Sequence, residues 1–137
     1  MPHIEQIPLE LALQMRHKAM YPDKNPEAVR LAADEDGIHF GLFDNNQLIS
    51  VVSWFRHNET EAQFRKLATL KEYRNSGYGT ALLNYIVDFS RGDGIHRLWC
   101  NARENALNFY KKLGFTETQN RFKKDDMQYI IIQLELY

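Results

Sequence analysis

One cysteine among 137 residues leaves no partner for an internal disulfide, and Cys100 so isolated fits a reducing cytosol. No His or Cys spacing suits a metal: His96 and Cys100 share a strand face but stand four residues apart, too far to hold one ion. No basic segment followed by an apolar stretch opens the chain, and no window approaches the roughly 20 apolar residues of a membrane span. Charge of one sign is also lacking, because 17 Lys plus Arg stand against 18 Asp plus Glu. A net charge of -1 supplies no field to gather nucleic acid or anionic lipid. Repeats, low-complexity tracts and Pro/Gly/Ser-rich linkers are missing as well. These absences predict a cytoplasmic single domain over residues 1–137, with no metal, no nucleic-acid partner and no membrane partner.

What is present reads as an ordinary globular chain, 44% hydrophobic and 26% charged, long enough to bury roughly 70% of its unfolded surface. "HIEQIP" predicts a short strand, and Pro8 suits the first turn of a helix over "LELALQMRHKAM". Asn25 as N-cap, Pro26 in the first helical position and Glu27 behind it predict a second helix running on through Val29 to Ala33. "IHFGLFD" and "QLISVVSWF", joined by "NN", predict a hairpin, which "EAQFRKLATL" extends into a three-strand meander. Leu82, Leu83, Ile86, Val87 and Phe89 recur at helical spacing up to "RGDG". "IHRLWCN" predicts a strand, "ARENALNFYKKLGF" a helix stopped by Gly114, and "DMQYIIIQLEL" a long closing strand. The order βααβββαβαββ is a mixed α+β fold, and the helical crossover between residues 70 and 96 makes its flanking strands parallel. The apolar closing strand leaves open a pairing surface for a homodimer, although core burial explains it equally well.

Gly77 and Gly79 fall where the third meander strand gives way to a helix, within "LATLKEYRNSGYGTALL". A strand leading through a glycine turn into a helix N-terminus presents outward amides and a positive dipole end, a fit for phosphate. Neither familiar phosphate loop matches. No Lys-Ser or Lys-Thr pair follows the glycines, and Leu82 stands where a dinucleotide fingerprint needs its third glycine.

"RNSGYGTALL" after "LATLKEY" resembles the coenzyme A loop of the GNAT superfamily of acetyl-CoA-dependent N-acetyltransferases, and "ARENALNFYKKLGF" resembles that family's second motif, ending Y-x-x-x-G-F. The element order is similar over essentially the whole chain. The resemblance implies a central, mostly antiparallel sheet of about seven strands with four flanking helices, and a coenzyme held in the splay between the two central parallel strands. It implies that Arg74, Asn75, Ser76, Gly77, Tyr78, Gly79 and Thr80 form the pyrophosphate turn. Leu67, Ala68 and Thr69 would pair with the pantetheine arm as with another strand, the Leu67 amide polarising the thioester carbonyl. Ala106 and Phe109 would flank pantetheine, and Tyr110 would serve as general acid. Two departures stand out. Arg103 occupies the position three before Ala106 where the motif often has Asn, and "LKEYR" lacks a usual proline.

An acetyltransferase of this kind needs a neutral amine, a polarised carbonyl and a stabilised thiolate leaving group. A tyrosine, with a pKa near 10, can donate to a sulfur whose ordinary pKa is near 8.5. His57, Glu59 and Glu61 are candidates by position for the general base, each read first as a surface strand-end residue. Cys100 reads as a small buried filler, which favours direct attack over a cysteine-bound intermediate. The acceptor is expected to be an amine of a small molecule or of a protein. The competing reading is a non-catalytic acyl-CoA-binding module.

Overall fold

A computed structural model describes residues 2–136; Met1 and Tyr137, included in the expected single domain, lie outside the described residues. Seven strands form one sheet: β1 (His3–Ile7), β2 (Ile38–Asp44), β3 (Gln47–Arg56), β4 (Glu61–Thr69), β5 (Arg97–Arg103), β6 (Thr116–Lys124) and β7 (Met127–Glu135). Their order is β1-β2-β3-β4-β5-β7-β6. Three α-helices accompany them, α1 (Leu9–Met20), α2 (Tyr78–Gly92) and α3 (Leu107–Lys112). The backbone divides into two compact units, one of Met1–Phe55 with Phe64–Asp88 and the other of Arg56–Gln63 with Phe89–Tyr137.

In the first unit, Asn45 (φ 52°) and Asn46 (φ 63°) make the tight turn of the β2–β3 hairpin, as the Asn-Asn dipeptide predicts. Register places His39 opposite Ser53 and Phe40 opposite Val52, so neighbouring residues alternate between two buried faces. Ala12, Met15, Arg16 and Ala19 form the buried stripe of α1 at helical spacing. Ala12, Met15 and Ala19 join Ile7, Val51, Ala68 and Leu70 in an apolar cluster, while Phe40 meets Tyr85 of α2 on the other face.

The expected second helix forms only one 3-10 turn, Pro26–Val29. Its cap is as predicted: the Asn25 side chain accepts from the Glu27 amide at 3.0 Å. Tertiary partners end it. Arg16 Nη1 donates to the Val29 carbonyl (3.0 Å), and the Leu31 amide donates to Asp34 Oδ2 (2.7 Å). Both are groups a continuing helix would have used for itself, so the four expected helices reduce to three α-helices among the described residues.

In the second unit, β4 and β5 run parallel, pairing Glu61–Gln63 with Arg97–Trp99 as the crossover requires. β5 begins two residues later than "IHRLWCN" suggests and continues through Arg103, because its antiparallel ladder with β7 extends to Arg103↔Tyr129. Ala102 and Arg103 are therefore strand, not the start of the motif helix. Glu104–Ala106 form a 3-10 turn, and α3 proper has six residues. Gly114 (φ 97°) stops it in the left-handed conformation, with Phe115 buried just beyond, as expected. β7 lies between β5 and β6; its Ile130 and Ile132 are fully buried, and Ile132 pairs with Cys100. Core packing thus accounts for Ile130 and Ile132 of the closing strand. No helix among the described residues is long and apolar enough to cross a membrane.

Candidate active site

In the first unit, the end of β4 is tied to β3. The Leu70 amide donates to the Ile49 carbonyl (3.0 Å), and Ser50 Oγ donates to the Ala68 carbonyl (3.0 Å) and lies 2.8 Å from Thr69 Oγ1. Lys66 takes a left-handed conformation (φ 57°) inside β4, immediately before Leu67. A non-glycine residue so placed bends a strand and re-aims its neighbours, as a bulge does. Nothing in "FRKLAT" announces it, since no glycine or asparagine stands there.

A 3-10 turn over Lys71–Tyr73 follows, taking the place of the absent proline. Arg74 turns its guanidinium inward: Nε donates to the Thr69 carbonyl (3.1 Å) and Nη2 to the Ala19 carbonyl (2.7 Å). Its side chain therefore clamps the root of the turn to β4 and α1. Two tyrosines fasten the turn to the β2–β3 hairpin, Tyr73 through Gln47 Oε1 (3.0 Å) and Tyr78 through Asp44 Oδ2 (2.7 Å), with their rings edge-to-face. These tethers are tertiary pairings that sequence reasoning missed.

Between the clamps, Asn75 (φ 63°) and Gly77 (φ 87°) adopt left-handed conformations, and α2 starts at Tyr78. A methyl group added at Gly77 would meet no heavy atom within 4 Å. Ala81 is the first donor of the stretch to find a protein acceptor, the Gly77 carbonyl at 3.0 Å. Among the described residues, the amides of Asn75, Ser76, Gly77, Tyr78, Gly79 and Thr80 have no such acceptor. The first amides of a helix lack intrahelical partners, and here they converge with those of a left-handed turn. Leu67, Ala68 and Thr69, in the part of β4 beyond its ladder with β5, lead straight into this turn.

In the second unit, Ala106 caps α3 and Phe109 and Tyr110 lie within it, the two rings edge-to-face at 5.1 Å. The Tyr110 ring also packs against Phe115 at 6.0 Å. Burial pushes the Tyr110 hydroxyl above its ordinary pKa, the nearby Cys100 adds to this and Arg103 opposes it. The hydroxyl keeps its proton throughout the physiological range. Burial likewise pushes the Cys100 thiol up, which makes it a poor nucleophile.

The positional candidates for a base have other work. Glu61 accepts from Arg97 Nη1 at 2.9 Å, and His57 Nε2 lies 2.9 Å from Gln63 Oε1 with its ring against Trp99. Glu59 is exposed and offers its carbonyl to Arg56. Lys111 and Arg121 pair with Glu117 on a solvated face. Among the described residues no group of three His, Cys, Asp or Glu could hold a metal. A surface cavity of about 420 Å3 along α1, lined by Leu13, His17, Pro22 and Arg30 among others, shares no residue with Leu67–Thr80.

Comparison with known proteins bears on the family and the fold. The chain is 30% identical over 127 residues to the uncharacterised N-acetyltransferase YitI of Bacillus subtilis (strain 168), covering 87% of this chain and 85% of that protein. Its fold matches a Lactobacillus plantarum crystal structure assigned as an N-acetyltransferase, with a TM-score of 0.89, 17% identity and 99% of each chain covered. It also matches a GNAT family acetyltransferase from Elizabethkingia anophelis with acetyl-CoA bound, with a TM-score of 0.77, 16% identity and 98% of each chain covered. Residues 4–115 fit the model of the acetyltransferase (GNAT) family, so the chain belongs to that family.

Proposed function

We propose that this chain is an N-acetyltransferase that moves the acetyl group of acetyl-CoA onto a primary amine by direct attack. One observation carries the reading: six successive amides, Asn75–Thr80, open at the N-terminus of α2 without an acceptor among the described residues. A diphosphate is the guest such a turn suits, since it brings negative charge to the positive end of a fifteen-residue helix. Left-handed Asn75 and Gly77 aim the amides, and the inward Arg74 clamp with the two tyrosine tethers holds them in place before the ligand arrives. Such preorganisation lowers the cost of binding.

Pantetheine would lie along Leu67–Thr69, its amides pairing with main-chain groups of β4, and Ala106 and Phe109 would flank it. In the reaction the neutral amine attacks the thioester carbonyl carbon. The new N–C bond forms as the C–S bond breaks, and the proton shed by nitrogen passes to water. The Leu67 amide stabilises the developing oxyanion, and the Tyr110 hydroxyl gives its proton to the departing sulfur and regains one from water. The buried Cys100 takes no part. The acceptor is an amine of a small molecule, or of a protein.

Acetyl-CoA at about 100 times its Kd should stabilise the protein by about 2.7 kcal/mol, while ATP and NAD at matched concentration should not. Release of free thiol with an amine acceptor completes the test. Stabilisation without thiol release over a broad amine panel would identify a binding module instead, and protection by NAD or ATP alone would refute the reading.

A further inference from the structure

The first unit contains a buried polar cluster that neither the turn nor Tyr110 uses. Arg16, fully buried on α1, donates from Nη1 to Asp34 Oδ2 (2.9 Å) and from Nη2 to Asp34 Oδ1 (2.8 Å) and Ser53 Oγ (2.8 Å). Ser53 Oγ in turn lies 2.7 Å from His39 Nδ1, and His39 Nε2 lies 3.0 Å from the Asp34 carbonyl. Burial holds His39 below its ordinary pKa, so the ring is neutral at pH 7. One carboxylate thus faces one guanidinium in a two-pronged pair, which balances the charge of the cluster.

Arg65 of β4 upsets that balance. It is half-buried, and the charges that act on it are those of Arg16, of like sign, and Asp34, whose two oxygens are already engaged by Arg16 and by the Leu31 amide. Among the described residues the Arg65 side chain makes neither a hydrogen bond nor an ion pair. Arg16 Nε also lacks an acceptor, although it is buried. Two guanidiniums therefore share one carboxylate, leaving a positive charge in a partly desolvated place where an unpaired ion is costly. Burial and the Arg16 charge both depress the Arg65 pKa, and Asp34 opposes them. Arg65 precedes Leu67 by two residues, so their Cα atoms lie within about 7 Å of each other. Left-handed Lys66 between them changes the direction in which the strand presents its side chains.

We propose that Arg65 receives a carboxylate of the acceptor, which makes the substrate of this chain an amino acid or another amine bearing a carboxylic acid. This rests on the acetyltransferase reading above, because it places the acceptor beside the thioester carbonyl held at Leu67. The guanidinium fork matches a carboxylate in plane. One surplus positive charge matches one carboxylate, whereas a dianionic phosphate would need a second free cation. Polyamines and other cationic amines are disfavoured by the same charge.

The test is thiol release with the intact protein over free amino acids, their amides and the corresponding amines without the acid, with an aminoalkyl phosphate in a separate arm. Acids should be turned over with kcat/KM about ten- to a hundredfold above their amides, the range of a charge-assisted contact. Arg65→Gln should erase that preference by raising KM for the acid while leaving KM for acetyl-CoA unchanged, and Arg65→Lys should restore part of it. Removal of a cation beside Arg16 should not lower the melting temperature, so a lost preference cannot be ascribed to unfolding. Equal rates for acid and amide, a preference that survives in Arg65→Gln, or a preference for the phosphate would overturn the proposal. If acetyl-CoA itself gave no thermal shift and no acceptor released thiol, the acetyltransferase reading would fall first.

Discussion

Gly77 and Gly94 form a matched pair on which the phosphate-turn argument can be decided. Both sit at left-handed φ, 87° and 80°, and at both an added methyl would meet no heavy atom within 4 Å. An alanine at either position therefore meets the same penalty, backbone strain of about 1–2 kcal/mol. With an unfolding entropy of about 2.1 cal/mol/K per residue, that lowers the melting temperature of a chain this size by roughly 4–7 °C. The two positions differ in one respect: Gly77 lies among the open amides before α2, and Gly94 lies after the helix ends. Differential scanning fluorimetry with acetyl-CoA at 100 times the wild-type Kd should show a shift of about 9 °C for wild type and for Gly94→Ala, from the 2.7 kcal/mol of linkage. A methyl projecting into the diphosphate position should weaken binding by about a hundredfold. The Gly77→Ala shift would then shrink to roughly 1–2 °C. Equal shifts in both variants would mean that the ligand does not approach this turn, and the reasoning from its amides would fail.

Tyr110→Phe should lower turnover by about a hundredfold or more while leaving the acetyl-CoA thermal shift intact, and normal thiol release by this variant would remove the acid role. Since burial raises the Tyr110 pKa, its deprotonation should not limit the rate below pH 10, as a pH–rate profile can check. Cys100→Ala should keep turnover per folded molecule within about twofold, because a buried thiol with a raised pKa forms no acyl intermediate; a dead but folded variant would require one. Asp34→Asn should cost about 3–5 kcal/mol in urea denaturation by leaving Arg16 buried without its counter-ion. The same cluster sets an acid limit. Burial alone would raise the Asp34 carboxyl, but hydrogen bonds from Arg16 and Leu31 hold it below its usual value, and burial lowers His39. Both groups have folded pKa values depressed relative to the unfolded chain. Their stability is therefore complete above about pH 6.5 and is lost as pH falls, first as the unfolded His39 takes up a proton and then through the carboxylate range. Acid titration of Asp34→Asn should lose the lower part of that slope.

Local rules acted alone in much of this chain, and there the elements are legible from residues. Asn45-Asn46 needs positive φ and makes the hairpin turn, Gly114 stops α3, and the apolar stripe of α1 recurs every three or four residues because the helix itself does. The glycine turn is legible for the same reason: Gly77 supplies a backbone conformation that other residues rarely adopt, and the helix behind it leaves its first amides open whatever surrounds it. Tertiary partners decided the rest. The helix expected after Asn25 ends at Val29 because Arg16 and Asp34, 13 residues before and five after that position, take the groups it needed. The motif helix loses its first residues because β7 offers Ala102 and Arg103 a ladder. Arg74 turns inward because the carbonyls of Thr69 and Ala19 lie within its reach, and the charge left on Arg65 follows from which carboxylate Arg16 has already claimed. Sequence by itself determined the turn of open amides, because that depends on φ angles and helix ends. Which side chains are spoken for, and which remain for a substrate, depends on distances between residues far apart in the chain, and only the folded structure sets those.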